Sequence, residues 1–557
     1  MKKTFKSLIA ILLSLMLVAG TLCLSSFADD ETVKFAVASD THIDDIPEAL
    51  EVNFPESNLY FHADGSGNLY SESTAITKQF LYDAAENGAQ FILICGDLTR
   101  SGKEEQHLRI AQMFRSFTQE TGVPVYVVPG NHDYFNSRPE DFKKYYAEFG
   151  YDNALVVDDK TASYVTDIIG NFRLIGVDST NPGDDGDGID GRLLKWIEAQ
   201  VKQAKKDGKE IIYMMHHPLL EHLFLGRIIM KDFIVSNTDY MAEKFCDMGI
   251  KMVFTGHEHG NDVASFTGRK GNTVYDVLTT ALTAYPLEYR MATYNGEEYK
   301  FEINGIDECD FDSLINGYND DQLALMESDY EEYARGCFRY AIEKKILKYT
   351  SPDFIKNKLK VTDGPVADVV DDLMSLVVEA LDMPLYDNGE GVSIQSLAES
   401  KGVTIPDSGY KTLCELASAV VALHYHGDEN MPSRSTPECE ILVKGLNTGL
   451  EYILSNCGDG LNVLNMLVSE TFGENSSEAK QLSKWFTAVK FGKEDSYKIA
   501  GQVLYPLLDN FTFDKAPGDR ELTIKVNQDK SGISFADRIL AIIRYIFNLF
   551  RGVFYLK

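Results

Sequence analysis

Hydrophobic positions follow two different rhythms along the 557-residue chain. From residue 33 to about 304, short runs rich in β-branched and apolar side chains lie at 33–39, 91–95, 124–129, 172–177, 211–215 and 251–255. Between several of them, at 74–87, 104–117 and 192–205, apolar residues recur every three or four positions. Short apolar runs bounded by turn residues predict buried strands, and the three-to-four spacing predicts amphipathic helices. Strands alternating with helices point to an α/β domain. Further runs at 273–279, 290–294 and 299–303 follow without helices, which adds an antiparallel portion and makes the expected sheet mixed.

The rhythm changes near Gly305. Residues 307–321 are acidic and irregular, and from there to about 513 the periodicity is helical, at 322–349, 367–381, 410–424, 435–455 and 477–491. This predicts a mainly α-helical domain over 305–514, followed by a linker at 515–532. The last segment, 533–557, reads as a helix with Ile539, Ile542, Ile543, Ile546, Phe550 and Val553 on a wide apolar face and Arg538, Arg544 and Arg551 on a narrow basic stripe. Interior arginines argue against a spanning helix. The segment suits the plane of a membrane surface, or alternatively a face packed on the helical domain or on an oligomer partner, and oligomeric state is left open. At the other end, Lys2, Lys3 and Lys6 precede an apolar run and the small residues Ser26 and Ala28, the pattern of a signal peptide over 1–28. The expected location is therefore secreted or extracytoplasmic, with membrane-surface association through 533–557.

Removing that leader loses three lysines and no acid, taking the formal charge from -32 to -35. A surface of that sign repels nucleic-acid polymers, which are themselves polyanions, whereas a positive metal cleft accepts a small phosphate ester. Seven cysteines remain, widely spaced and never as C-x-x-C, which excludes a disulfide scaffold or thiolate zinc site and leaves one or two bridges open in the second half. His424 and His426 close a predicted helix before Gly427 and read as capping or surface residues.

The chemistry lies in five motifs: Asp40-Thr41-His42, Gly96-Asp97, Gly130-Asn131-His132-Asp133, His216-His217-Pro218 and Gly256-His257-Glu258-His259. Each follows one of the predicted strands, so its side chains would meet at strand ends. Nine of the eleven histidines precede residue 260 and six of those fall inside the motifs, which packing does not explain. Two metal ions cleave a phosphoester by presenting a bound hydroxide to phosphorus and neutralising the charge that develops on its oxygens. Asp97, after a buried strand and a glycine, suits the carboxylate bridge between such ions, and Asp40 with His42 can hold one of them. Asn131 offers a carbonyl oxygen, and His216, His257 and His259 offer imidazoles. A nitrogen and oxygen donor set without sulfur suits two divalent or trivalent ions of Mn, Fe or Zn rather than Ca or Mg. His217 reads as a residue behind the ligands; His222, four beyond Pro218 on a loop or helix start, has a place in the cleft wall only as the lesser of its two readings.

In this order, D-x-H, G-D, G-N-H-D, H-x-P and G-H-x-H resemble the calcineurin-like metallophosphoesterases over roughly residues 33–304. The resemblance implies a four-layer αββα sandwich over 29–304, with Asp40, His42, Asp97 and His259 on one metal and Asp97, Asn131, His216 and His257 on the other. It implies that His132 contacts the substrate phosphate and assists the leaving alkoxide, oriented by Asp133. Arg100 stands where purple acid phosphatases carry a metal-binding tyrosine. Protein phosphatases and 5'-nucleotidases typically have G-N-H-E where this chain has Asp133. The G-D-L-T run with Gly102 looks most like the phosphodiesterase-like branch, implying a diesterase, or monoesterase, of small molecules. The alternative is a cell-surface binding protein whose catalytic domain is vestigial.

Overall fold

Strands β1 (Val33–Ala38), β2 (Ile92–Ile94) and β3 (Val125–Val127) are separated by helices α1 (Ser73–Glu86) and α2 (Glu104–Thr121), as the alternating pattern predicts. The structure, a computed structural model, describes residues 32–44, 67–180, 188–222, 233–310, 318–389, 391–427, 429–513 and 517–526. The leader read at 1–28 and the amphipathic segment read at 533–557 lie outside the described residues. After the short α3 (Pro139–Tyr145) come β4 (Val156–Val157), β5 (Tyr164–Asp167) and β6 (Phe172–Gly176). The chain continues through α4 (Gly191–Lys206), β7 (Glu210–Met214), α5 (Thr238–Met248), β8 (Met252–Thr255), β9 (Asp262–Thr267) and β10 (Thr273–Leu278). Strands β11 (Glu288–Tyr294) and β12 (Glu298–Gly305) complete this half.

Two mixed sheets result. A six-stranded sheet has the order β13-β12-β11-β1-β2-β3, where β13 is Leu522–Lys525, and a seven-stranded sheet has the order β4-β5-β6-β7-β8-β10-β9. Successive side chains of a strand point to opposite faces, and the second sheet uses both. Leu174, Ile212, Met214, Met252 and Phe254 join the core shared with Phe35 and Phe91 of the first sheet. Their neighbours Ile175, Tyr213 and Val253 pack on Leu193 and Ile197 of α4 and Met241 and Phe245 of α5. Phe254 meets Phe35 edge-on at 5.9 Å and Phe301 at 5.8 Å, which locks the sheets face to face. Helices α1 and α2 bury Ile76, Phe80, Ile110 and Phe114 in the same core. Helix, sheet, sheet, helix is the αββα order that the resemblance implies.

Beyond residue 320 the chain is helical, with α6 (Asp320–Ser328), α7 (Tyr330–Tyr349), α8 (Pro352–Leu359), α9 (Pro365–Asp382), α10 (Ile394–Glu399) and α11 (Leu413–His426). Helices α12 (Pro437–Asn456), α13 (Gly460–Phe472), α14 (Ser477–Lys490) and α15 (Ser496–Thr512) follow. The single helix predicted over 322–349 is broken at Asp329, whose side chain accepts the Glu332 N–H at 2.9 Å and caps a new helix. Tyr425 of α11 and Phe338 of α7 lie 4.6 Å apart, and Phe338 reaches Tyr285 of the two-sheet half at 5.8 Å. No helix among the described residues is long and apolar enough to cross a membrane.

The linker reading of 515–532 is corrected by β13. Leu522, Thr523, Ile524 and Lys525 pair antiparallel with Phe301, Lys300, Tyr299 and Glu298, with Leu522 and Ile524 buried. Two apolar residues alternating with polar ones inside a charged stretch are a weak signal, yet they suffice to cover a sheet edge. The seven described cysteines are all free and buried, so the bridges left open in the second half do not form.

Candidate metal centre

The motif residues stand at the carboxyl ends of β1, β2, β3, β7 and β8, the edge at which sheets of this kind present ligand sites. Their backbones turn sharply there. Asp40, His42, Asp97, His257 and His259 have φ of 55°, 42°, 48°, 73° and 63°, a left-handed region costing roughly 1 to 3 kcal/mol for each such residue. Hydrogen bonds over-determine the turns: Asp40 N–H donates to the Gly96 carbonyl and His42 N–H to the Asp97 carbonyl, each at 3.0 Å. Glycines let the turns approach. A Cβ on Gly130 would lie 2.2 Å from Asp97 Oδ1, and one on Gly256 would lie 1.8 Å from Ser39 Oγ.

Asp97 is at the middle. Its Oδ1 accepts the His132 N–H at 2.8 Å, leaving Oδ2 at 3.3 Å from His216 Nε2, 3.9 Å from His42 Nε2 and 4.0 Å from His132 Nε2. One oxygen thus faces both groups of donors, as a bridge must. On one side, Asp40 Oδ1 is buried without a hydrogen-bond partner and lies 3.6 Å from His42 Nε2 and 3.3 Å from His259 Nε2. The two imidazole nitrogens are 3.4 Å apart. On the other side, His216 Nε2 lies 3.2 Å from Asn131 Oδ1 and 3.1 Å from His257 Nδ1. Donors about 2.1 Å from a common cation take up such spacings, and an orphaned buried carboxylate oxygen is the group that a cation satisfies. Asp40, His42, Asp97 and His259 therefore fit one metal and Asp97, Asn131, His216 and His257 the other; the donor groups that can hold a metal comprise the same Asp and His residues together with His132.

Metal ligands must be deprotonated, which the electrostatics favour at His42 and His257 but not at His216, where burial is outweighed by Asp97 and Asp40, which raise the imidazole to about 10. Burial, with His132 beside it, pushes His42 down to about 3, and burial with His217 and His216 nearby lowers His257, so both present lone pairs. Burial opposes charge on Asp97 and Asp40, yet the surrounding imidazoles hold both below the ordinary carboxylate value. His216 Nδ1 lies 2.7 Å from the Cys95 carbonyl, which turns Nε2 toward the centre.

His132 sits at the mouth, its side chain 29% exposed. Its ring is oriented by the Arg100 carbonyl, which lies 2.7 Å from Nδ1, and it packs on Phe135 at 4.6 Å. The reading of Asp133 as the orienting group is corrected. Its carboxylate accepts from Leu98 N–H at 3.1 Å, Thr99 N–H at 2.9 Å, Thr99 Oγ1 at 2.8 Å and Gly130 N–H at 2.9 Å. It staples the Asp97 turn to the Gly130 turn instead of touching the imidazole. His217 is buried, Nδ1 2.9 Å from Ser179 Oγ and its ring 4.4 Å from that of His257, behind the ligands as expected. His222 is not a cleft residue: its nitrogens lie 2.6 Å from Asp262 and 3.3 Å from Asp276 in the protein interior. His424 is buried at 2.5 Å from Glu429, and His426 ends α11 at the Gly427 cap. The carbonyls of Cys95 and Arg100 escaped sequence reasoning because a backbone oxygen has no residue signature.

The family model of the calcineurin-like phosphoesterases matches residues 33–261. Residues 33–261 are a calcineurin-like phosphoesterase domain. Among relatives, this phosphoesterase domain is similar to a probable glycerophosphodiester phosphodiesterase of Arcobacter nitrofigilis, 29% identical over 128 residues, or 23% of this chain and 41% of that one. It is also similar to a probable cyclic nucleotide phosphodiesterase of Rhodococcus erythropolis, 22% identical over 37% of this chain and 65% of that one. The chain thus spans less than two thirds of the length of these relatives. A solved dimetal phosphatase from Danio rerio covers 49% of this chain at 12% identity and a TM-score of 0.36, with 96% of its own length included.

Proposed function

We propose that the chain is a secreted, dinuclear-metal phosphodiesterase acting on a small-molecule phosphate ester, with Mn, Fe or Zn as its ions. The convergence of two donor groups on Asp97 Oδ2 carries the reading. When bound, the cations activate a water and neutralise charge on the phosphoryl oxygens. The chain's own residues supply the rest. His132, with Nδ1 engaged by Arg100, keeps Nε2 directed at the centre; when protonated there, it donates its proton to the leaving oxygen as the phosphorus–oxygen bond breaks. Asp97 Oδ1, by holding the His132 N–H, ties that acid to the bridge. Preference for a diester is supported by the activities for which the two relatives are named and by Arg100 in place of a tyrosine ligand.

The test is hydrolysis of a generic aryl diester and the corresponding monoester by the full chain loaded separately with Mn, Fe and Zn. Faster diester cleavage is expected; a strong monoester preference would reverse the assignment of substrate class. Attachment at a membrane surface is a second part of the proposal, carried by the basic amphipathic pattern of 533–557. Anionic vesicles should retain the full chain and release a chain ending at Gly532, and equal retention of both would refute the attachment.

A further inference from the structure

The helical half has no donor cluster among the described residues, yet it reaches the metal centre through backbone. The loop from Gly256 to Asp262 carries His257 and His259 in their left-handed conformations. Two of its anchors come from the catalytic half nearby: Asp40 Oδ2 accepts the His257 N–H at 3.0 Å, and Thr280 Oγ1 donates to the His259 carbonyl at 2.6 Å. Others come from far along the chain. The Asn261 N–H donates to the Tyr425 carbonyl of α11 at 3.1 Å, and the Val263 N–H donates to Asp519 Oδ1 at 2.8 Å, across 256 residues of sequence. The Asn261 side chain donates to Glu288 at 2.7 Å. Arg520 grips that same Glu288 carboxylate with both guanidinium ends, at 3.1 and 2.8 Å, and also donates to the His426 carbonyl at 2.7 Å.

The Asn261 and Val263 contacts are buried, where hydrogen bonds are strongest and least replaceable by water, whereas those of Arg520 are part-buried, its side chain 31% exposed. Asn261 has no exposed surface, and Asp519, Glu288 and Asp262 are 5 to 6% exposed. Fully buried Arg290 donates to the carbonyls of Asp519 and Leu278, fixing the segment just before β13. Gly427, at the α11 cap with φ 78°, comes so close that a Cβ there would stand 2.9 Å from the Asn261 carbonyl. The helix end is therefore pressed against the ligand loop itself.

We infer that α11 and the segment Asp519–Arg520 are a clamp that holds the His257–His259 loop in its metal-ready shape, making these distant residues positioning residues for the metal centre. The inference rests on the metal-centre reading above. It gives the helical half and the strand after it a role in metal binding. Without the clamp, the strained loop relaxes and the two imidazoles lose their convergence.

The experiment measures the rate at which the Mn- or Zn-loaded full chain loses metal to a chelator, alongside its thermal midpoint. Arg520→Ala should lose metal about 10-fold faster or more, the scale on which outer partners tune metal sites, and excess metal should restore kcat. Arg520→Lys, which keeps the charge but loses the second nitrogen and with it the two-point grip on the Glu288 carboxylate, should fall between parent and Ala, and serves should Arg520→Ala not fold. Lys490→Ala removes a bond to the Leu454 carbonyl inside the helical half and should leave metal retention at the parent rate. Unchanged retention in both Arg520 variants, or equal loss in Lys490→Ala, overturns the clamp while leaving the metal centre standing. A parent chain that takes up no metal overturns the metal-centre reading and the clamp with it.

Discussion

Gly130 is the position at which one methyl group should reveal the bridge. A Cβ built there falls 2.2 Å from Asp97 Oδ1, 2.4 Å from the Asp97 nitrogen and 2.7 Å from its Cγ, whereas an ordinary contact begins at 3.4 Å. Relief therefore needs about 1.2 Å of movement, the difference between 3.4 and 2.2 Å. Neither side can give way freely. Asp97 is buried, with Oδ1 accepting the His132 N–H, and the Gly130 N–H is held by Asp133. Overpacking of this kind costs about 1 to 3 kcal/mol, and a displacement near 1 Å at a reacting centre costs on the order of 10²-fold in rate. Gly130→Ala should thus lower stability modestly while lowering metal content and kcat severely. Gly122→Ala is the control: that glycine caps α2 at φ 76° with nothing within 4 Å, so the substitution should cost about 1 kcal/mol and spare the metals. Element analysis, thermal unfolding and diester turnover on both variants decide the matter. A Gly130→Ala protein with full metal content and turnover within twofold of the parent would falsify the reasoning.

Other substitutions separate chemistry from scaffolding. His132→Ala should lower kcat by about 10²-fold with metal retained, as for removal of an acid or charge-stabilising donor; an unchanged kcat takes His132 out of the reaction. Asp133→Asn leaves one oxygen to satisfy donors from Leu98, Thr99 and Gly130, so denaturant unfolding should register a loss of about 2 kcal/mol or more; no loss would mean those bonds do not hold the turns. Glu72 lies buried beneath Tyr333, 3.2 Å from its hydroxyl, and burial raises its carboxyl from 4.5 to about 7. Because the folded value is the higher one, the fold is penalised as pH rises from 4.5 to 7, by up to about 3 kcal/mol when complete. Glu72→Gln should therefore gain stability over the parent progressively across that window in urea titrations, and a pH-independent difference would contradict the burial argument.

The sequence was most legible where one physical requirement produces one pattern. Buried strands between two helix layers must be apolar on both faces, so β1, β2, β7 and β8 stand out as runs, and ligands at their ends follow directly. The seven ligand residues are visible because chemistry restricts them to Asp, Asn and His, and the preceding glycines because the turns leave no room for a Cβ. What was hidden depends on partners far away in sequence. The resemblance makes Asp133 the group that orients His132, but its four hydrogen bonds come from the turns at Leu98, Thr99 and Gly130, which no local pattern reveals. His222 leaves the cleft open as the lesser reading until Asp262 and Asp276 close around it. β13 has too few residues to declare itself without β12, and the break at Asp329 is a capping event inside an otherwise continuous helical pattern.

Asp97 would hold two ions in common, since one oxygen of its carboxylate faces both groups of donors. Metal analysis of the Mn-loaded full chain, with magnetic resonance to detect coupling between the ions, tests this bridge most directly. Two Mn per chain that are magnetically coupled, and loss of both the coupling and the diesterase activity in Asp97→Ala, are the predicted results. One ion or none per chain, or two ions whose spectrum is unaltered when Asp97 is removed, would contradict it.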